Sequence, residues 1–335
     1  MAGGVGSRLW PISISDKPKQ FQPLINGVSL LAYTYAKLAQ TLNVDEIYIM
    51  VRAGMEDLAR DSLPDITDKH IIVAPELHRN ALPDVMWALN AVTDDPNEPI
   101  LFKSVDHYIR NEADFGASLQ ACMDKWRSRE PAFTLLAIRF ATFNSNDGYC
   151  IADNSGSVLR FLEKPSQEEF ESAAATHQAF RFPFIFITTQ QTCLDVLSES
   201  SEEWADQAAQ LLRADEASRE LLRAAMPSMD MRKILMMPGQ RLRVLPLDYD
   251  FIDVGRFEEL YQLNEKDEHG NAIQGEVVLG TACQNSLIIN QTDAPLVVMS
   301  ADGLVIVQTS EGSLVTPFAD AARIGDIYKD QIHPH

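Results

Sequence analysis

Through the first two thirds of the chain, short apolar runs alternate with longer stretches in which apolar residues recur at helical spacing. The runs at 46–51, 70–73, 100–102 and 133–138 are rich in Ile, Val, Leu and Phe and too short for helices, so they predict buried strands. Residues 29–42 and 83–92 carry the helical period, and Ser29 stands where an N-cap hydroxyl would take a free amide. This alternation predicts an α/β fold, a mixed, mostly parallel sheet with helices on both faces. In such sheets ligands bind beyond the carboxyl ends of the strands, so the chemistry is expected just after each apolar run.

Residues 202–225 are charged and rich in Ala and Leu, which predicts one helix with a solvated face. Beyond about Gly270 the texture changes. β-branched runs at 276–279, 286–289, 296–299 and 304–307 are separated by Gly, Asn and Asp, predicting a β-roll or irregular β-helix. The expected division is a larger α/β domain over 1–265 and a β-rich segment over 266–335 packed on it.

The chain has 335 residues, 46% of them hydrophobic, enough to build one large core and a smaller one. With 48 acidic against 28 basic residues the formal net charge is −20, which argues against nucleic acid or an anionic membrane as partner. An anionic ligand would need positive charge gathered locally, for which Arg8, Lys17, Lys19, Arg79 and Lys164 are candidates, with a divalent cation supplying the rest. Cys122, Cys150, Cys193 and Cys283 are scattered without zinc spacing, and no apolar run is long enough to cross a bilayer. Reduced thiols in a cytoplasm are therefore expected.

The densest chemistry lies at the start. Gly3, Gly4 and Gly6 offer main-chain N–H groups that a phosphate can approach without meeting side chains. Arg8 adds a planar fork of donors and Lys19 a mobile point charge. A glycine run alone reads equally well as a loose terminus, but here Arg8-Leu9-Trp10-Pro11 and Pro18-Lys19-Gln20-Phe21 follow it. Residues 2–24 resemble the signature of bacterial sugar-phosphate nucleotidyltransferases, and 18–21 look like the mannose-1-phosphate guanylyltransferase branch. The resemblance implies a Rossmann-like nucleotidyltransferase fold in which the glycine loop follows the first strand of the sheet. Only two residues precede Gly3, so that strand is expected to be missing and to leave an apolar groove.

Further motifs follow in the family's order. Ser104-Val105-Asp106-His107 and Ile252-Asp253-Val254-Gly255 each come after a predicted strand. Carboxylate oxygen suits a hard cation, and the resemblance implies that Asp106 and Asp253 share Mg²⁺. His107 is expected to support its loop rather than act as a base. Phe161-Leu162-Glu163-Lys164-Pro165 is similar to a motif whose lysine grips the sugar phosphate and whose glutamate accepts from sugar hydroxyls. Within residues 75–80, Glu76, Arg79 and Asn80 match a segment that faces the base. Gly148 matches a glycine at the sugar phosphate, while Cys150 replaces a second glycine and is expected to intrude there. Arg181-Phe182-Pro183-Phe184 stands where relatives carry Trp-Asn-Ser-Gly, so no asparagine is expected at the sugar. Arg181 would then either fill the sugar pocket or grip a more anionic ligand.

The reaction implied is GTP plus mannose 1-phosphate giving GDP-mannose and pyrophosphate. Arg8 and Lys19 would hold the leaving group and Lys164 the nucleophile. Two alternatives stay open: transfer to another hexose 1-phosphate, and a catalytically silent nucleotide-binding paralogue. A homodimer is compatible with the sequence.

Overall fold

The computed structural model describes residues 6–74, 81–110, 112–140, 142–225, 231–236 and 241–332. The chain enters through two single-turn 3-10 helices, Ser7–Leu9 and Lys19–Phe21. It continues into α1 (Leu30–Ala39), whose Ser29 cap accepts from the Ala32 amide. Next come β1 (Ile49–Arg52), α2 (Glu56–Ser62) and β2 (Ile71–Ala74), with β1 and β2 paired in parallel. Then follow α3 (Ala81–Val92), β3 (Ile100–Lys103), β4 (His107–Ile109), α4 (Glu112–Arg127) and β5 (Phe133–Ile138). A hairpin of β6 (Gly148–Ala152) and β7 (Val158–Glu163) leads through α5 (Gln167–Ala174) to the long strand β8 (Gln178–Thr188).

The run 202–225 forms two helices instead of one. After α6 (Gln190–Ser200) come α7 (Glu202–Arg213) and α8 (Glu216–Ala225). The break has a local cause: the Asp215 carboxylate takes the Ser218 amide at 2.8 Å, capping a new helix where the old one would have run on. A short α9 (Met231–Leu235) precedes β9 (Leu242–Leu247) and β10 (Phe251–Asp253).

The main sheet has the order β7-β6-β8-β5-β9, with β3 also on β8. It is mixed. Parallel pairing joins β5 to β9, whereas β8 runs antiparallel to β3, β5 and β6. The hairpin β6–β7 and the short return through α5 bring the chain back in the opposite sense, which makes β8 the pivot of the sheet. Both faces are covered along β5, where every residue is buried and all but Thr134 are apolar. Phe133, Leu135 and Ala137 of β5 pack on one core with α3, α6 and α7, and Leu136 and Ile138 on the opposite core with α4.

Among the described residues no ladder joins β1 to β3. A cavity of about 370 Å³ lies between them, lined by Leu31, Ile49, Met50, Ile100 and Phe102 among others.

After α10 (Phe257–Leu263) the chain winds into a coil of short strands. Here β11 (Ala272–Gln274), β12 (Val277–Leu279), β13 (Leu287–Asn290), β14 (Leu296–Val298) and β15 (Leu304–Thr309) form two parallel stacks, β11-β13-β15 and β12-β14. The last strand, β16 (Gly312–Pro317), folds back antiparallel on β15. The corner between β11 and β12 needs Gly275: its φ is +83° and a Cβ there would lie 1.9 Å from the Asn290 carbonyl oxygen. Finally α11 (Phe318–Ala321) and α12 (Ile324–Ile327) return to the first residues described. Leu9, Ile12 and Leu24 share one core with Phe257, Leu287, Val305 and Ile324. The coil and the entering segment are thus packed as one piece.

Candidate active site

Two carboxylates from distant parts of the chain are brought together by a short antiparallel ladder, β4 on β10, in which His107 faces Asp253 and Ile109 faces Phe251. The Val254 amide donates to the Asp106 carbonyl at 3.0 Å and fixes the two turns side by side. Lys19 reaches into this junction. Its Nζ lies 3.5 Å from Asp106 Oδ2 and 3.6 Å from Asp253 Oδ1 and donates to the Val254 carbonyl at 2.8 Å. The ammonium offsets the repulsion between the two carboxylates.

Electrostatics follow from burial and neighbours. Burial alone would raise the Asp106 carboxyl, but His107, Lys19 and Lys103 hold it well below the usual carboxylate range. Burial pushes the His107 imidazole down to about 4 despite Asp106 beside it, so it is neutral near pH 7. The same cause brings Lys103 down to about 8, with Asp106 opposing the shift. One ligand atom each from Asp106, His107 and Asp253 lies within 4.8 Å of the others. Asp106 Oδ1 is buried and has no hydrogen-bond partner among the described residues. A divalent cation fits this set, since a buried carboxylate oxygen without a donor is the ligand a hard cation prefers.

Beside the carboxylates opens a cavity of about 420 Å³. Arg8, Gly148, Glu163, Lys164, Arg181 and Asp253, six positions singled out from sequence, all line it. Gly148 lies opposite Glu163 in the β6–β7 register, and a Cβ there would come within 3.1 Å of Glu163 Oε2. Lys164 follows directly with a left-handed φ of +49°, its amide donating to the Asp147 carbonyl. Arg181 is fixed in the wall. Its Nη1 lies 3.4 Å from Asp147 Oδ2, its Nη2 3.0 Å from Asp250 Oδ1, and its guanidinium 4.0 Å from the centre of the Phe251 ring.

Other expectations need correction or fall outside the structure. Gly6 is described, with a φ of +68°, and packs against the stem of Lys19. Gly3, Gly4, Glu76, Arg79 and Asn80 lie outside the described residues. Cys150 does not intrude on the cavity. It lies two pairs deeper along β6 between Phe161 and Phe180, fully buried in the core, where burial pushes its thiol up. Asparagines are present after all, because Asn144 and Asn146 reach the cavity from the turn before β6. Arg110, Arg256 and Glu259 also line it. These residues sit in turns and at helix starts, where no periodicity marks them; only their closeness in sequence to Asp106, Gly148 and Asp253 could have drawn attention.

Residues 1–270 match the Nucleotidyl transferase family model. The chain belongs to that family. A mannose-1-phosphate guanylyltransferase of Klebsiella pneumoniae is 24% identical over 331 residues, covering 94% of this chain and 69% of that protein. Xanthan biosynthesis protein XanB of Xanthomonas campestris pv. campestris is 25% identical, covering 94% and 68%. The crystal structure of mannose-1-phosphate geranyltransferase from Thermus thermophilus superposes with a TM-score of 0.81 at 25% identity, over 98% of this chain and 97% of that one. This nucleotidyl transferase therefore shares with the Thermus structure both the α/β sheet and the strands that follow it. Among the described residues no helix is long and apolar enough to cross a membrane.

Proposed function

We propose that this nucleotidyl transferase makes GDP-mannose and pyrophosphate from GTP and mannose 1-phosphate. The observation that carries the reading is the convergence of Asp106 and Asp253 beside a cavity lined by Arg8, Glu163, Lys164 and Arg181. Relatives named for this activity along nearly the whole chain support the choice of substrates.

Asp106 and Asp253 would hold Mg²⁺, which when bound neutralises phosphate charge. The remaining roles belong to the chain. Lys164, at the cavity wall, binds the sugar phosphate and aims its oxygen at the α-phosphorus for in-line attack. Arg8 takes charge that builds on the departing pyrophosphate, and Lys19 stands behind it at the carboxylates. Glu163, Asn144 and Asn146 present acceptors and amides to sugar hydroxyls. The glycine loop with Gly3 and Gly4 takes the triphosphate, and Glu76, Arg79 and Asn80 the base. His107, buried and neutral, orients its loop. We place the reaction in the cytoplasm, with residues 1–265 as its catalytic domain and 266–335 as support.

Arg181 favours a second reading. Held by Asp147 and Asp250, it narrows the place where a sugar would sit, which would suit another hexose 1-phosphate. Pyrophosphate release measured with each nucleoside triphosphate and sugar 1-phosphate pair decides between them. Turnover fastest with GTP and mannose 1-phosphate supports the proposal. A different preferred sugar supports the second reading, and no release with any pair refutes both.

A further inference from the structure

Arg8 passes between Gly255 and Gly325, two glycines of the C-terminal part of the chain. A Cβ on Gly255 would lie 3.5 Å from Arg8 Nη2 and 3.9 Å from its Cζ, so the head of the side chain runs across the turn that carries Asp253. A Cβ on Gly325 would lie 2.8 Å from Arg8 Cγ and 3.6 Å from its Cα. Real Cβ atoms do not approach that closely, and the atom they would meet is the stem of Arg8, not a free end. Gly325 sits in α12, buried, beyond the 1–270 stretch that matches the family model. The surroundings hold α12 in place. Ile324 is packed in the core shared by Leu9, Ile12 and Val254, and Tyr328 is buried just after it. Gly312 lies against the Trp10 ring in the same way, where a Cβ would come within 2.9 Å.

We infer that Gly325 is a positioning residue for nucleotide binding: by carrying no side chain it lets α12 lie flat against the stem of Arg8 and aim the guanidinium past Gly255 into the cavity. The C-terminal segment thereby sets affinity for the triphosphate without touching it. A methyl group at 325 must push either α12 or Arg8 aside. Because Ile324 and Tyr328 fix α12, the side chain of Arg8 is what gives way. The inference rests on the guanylyltransferase reading only in assigning Arg8 to the triphosphate.

The test is a double-mutant cycle with GTP as the probe, titrated calorimetrically in Mg²⁺ buffer, alongside KM for mannose 1-phosphate and thermal melting. Losing a charge-assisted hydrogen bond weakens binding by roughly 10- to 150-fold, so Arg8→Ala should raise the Kd for GTP within that range. Gly325→Ala should raise it by about tenfold, with KM for mannose 1-phosphate unchanged. In the Arg8→Ala background Gly325→Ala should add nothing further. Unchanged GTP affinity in Gly325→Ala, or effects that multiply in the double variant, would overturn the inference. If Arg8→Ala itself binds GTP as tightly as the parent, the role given to Arg8 fails instead. Should Gly325→Ala not fold, recovery of folding in Arg8→Ala/Gly325→Ala supports the contact, and continued failure refutes it.

Discussion

Replacing Arg181 by Met would separate the charge of this side chain from its bulk. The guanidinium is 14% exposed and Asp147 17%, so the substitution strands a carboxylate that is mostly out of water. Breaking a fully buried pair costs about 3–5 kcal/mol. Asp250 adds under about 1 kcal/mol, being 47% exposed and still paired with Arg110 at 3.3 Å. Loss of the contact with the Phe251 ring adds about 0.5–1 kcal/mol, offset in part by the apolar methionine chain. Since Asp147 keeps some access to water, the expected loss at pH 7 is about 2–4 kcal/mol. The pH dependence gives a second handle. Burial already raises the Asp147 carboxyl even though Arg181 opposes it. In the folded state this group therefore binds a proton more readily than in the unfolded chain, and stability falls as pH rises through that window. Without Arg181 the rise is larger, the window extends to higher pH, and the deficit should be greater at pH 7 than at pH 4. Urea unfolding of parent and Arg181→Met at both pH values measures this, and Asp147→Asn in the Met background should recover most of the difference. A deficit below about 0.5 kcal/mol at pH 7, or one equal at both pH values, would refute the reasoning.

Three further outcomes are expected. Asp253→Asn should reduce pyrophosphate release to background and weaken Mn²⁺ binding seen by electron paramagnetic resonance, while GTP binding and the melting temperature stay near the parent's; full turnover would remove Asp253 from the site. Lys103, held near 8 by burial, keeps fewer protons folded than unfolded between about pH 8 and 10.5, so stability should rise there by roughly 3 kcal/mol and the rise should vanish in Lys103→Met; parallel stability curves would sink this account. Asp84→Ala should cost about 1.5–3 kcal/mol by removing one carboxylate from the buried Arg223 side chain, as read from urea midpoints; an unchanged midpoint would rule the pairing out as a source of stability.

Much of this architecture is legible in the residues. The strand 133–138 is buried on both faces and so appears as a run that is apolar everywhere but at Thr134. The strands beyond Gly270 are legible because Gly and Asn punctuate each corner, as Gly275 does with a backbone that only glycine adopts without strain. The ladder of β4 on β10 is not legible, since three-residue strands are too short to carry a period. The antiparallel run of β8 comes from the neighbours it meets, not from its composition. In the site, Asp106, Lys164 and Asp253 stand out because each follows a strand in a distinctive string. Asn144, Arg110 and Asp250 do not, being ordinary turn residues that matter only where the fold delivers them.

The break between β1 and β3 divides the molecule's cooperativity. Ladder hydrogen bonds tie β3, β5, β6, β7, β8 and β9 into one unit, so opening any of these strands exposes its neighbours. Among the described residues β1 and β2 form ladder hydrogen bonds only with each other, and they face β3 across a cavity that withholds part of the packing. Such a unit opens at a free energy below that of global unfolding. Amide protons of Ile49–Arg52 and Ile71–Ala74 then exchange by sub-global opening, while those of β5 and β8 wait for the whole sheet to come apart.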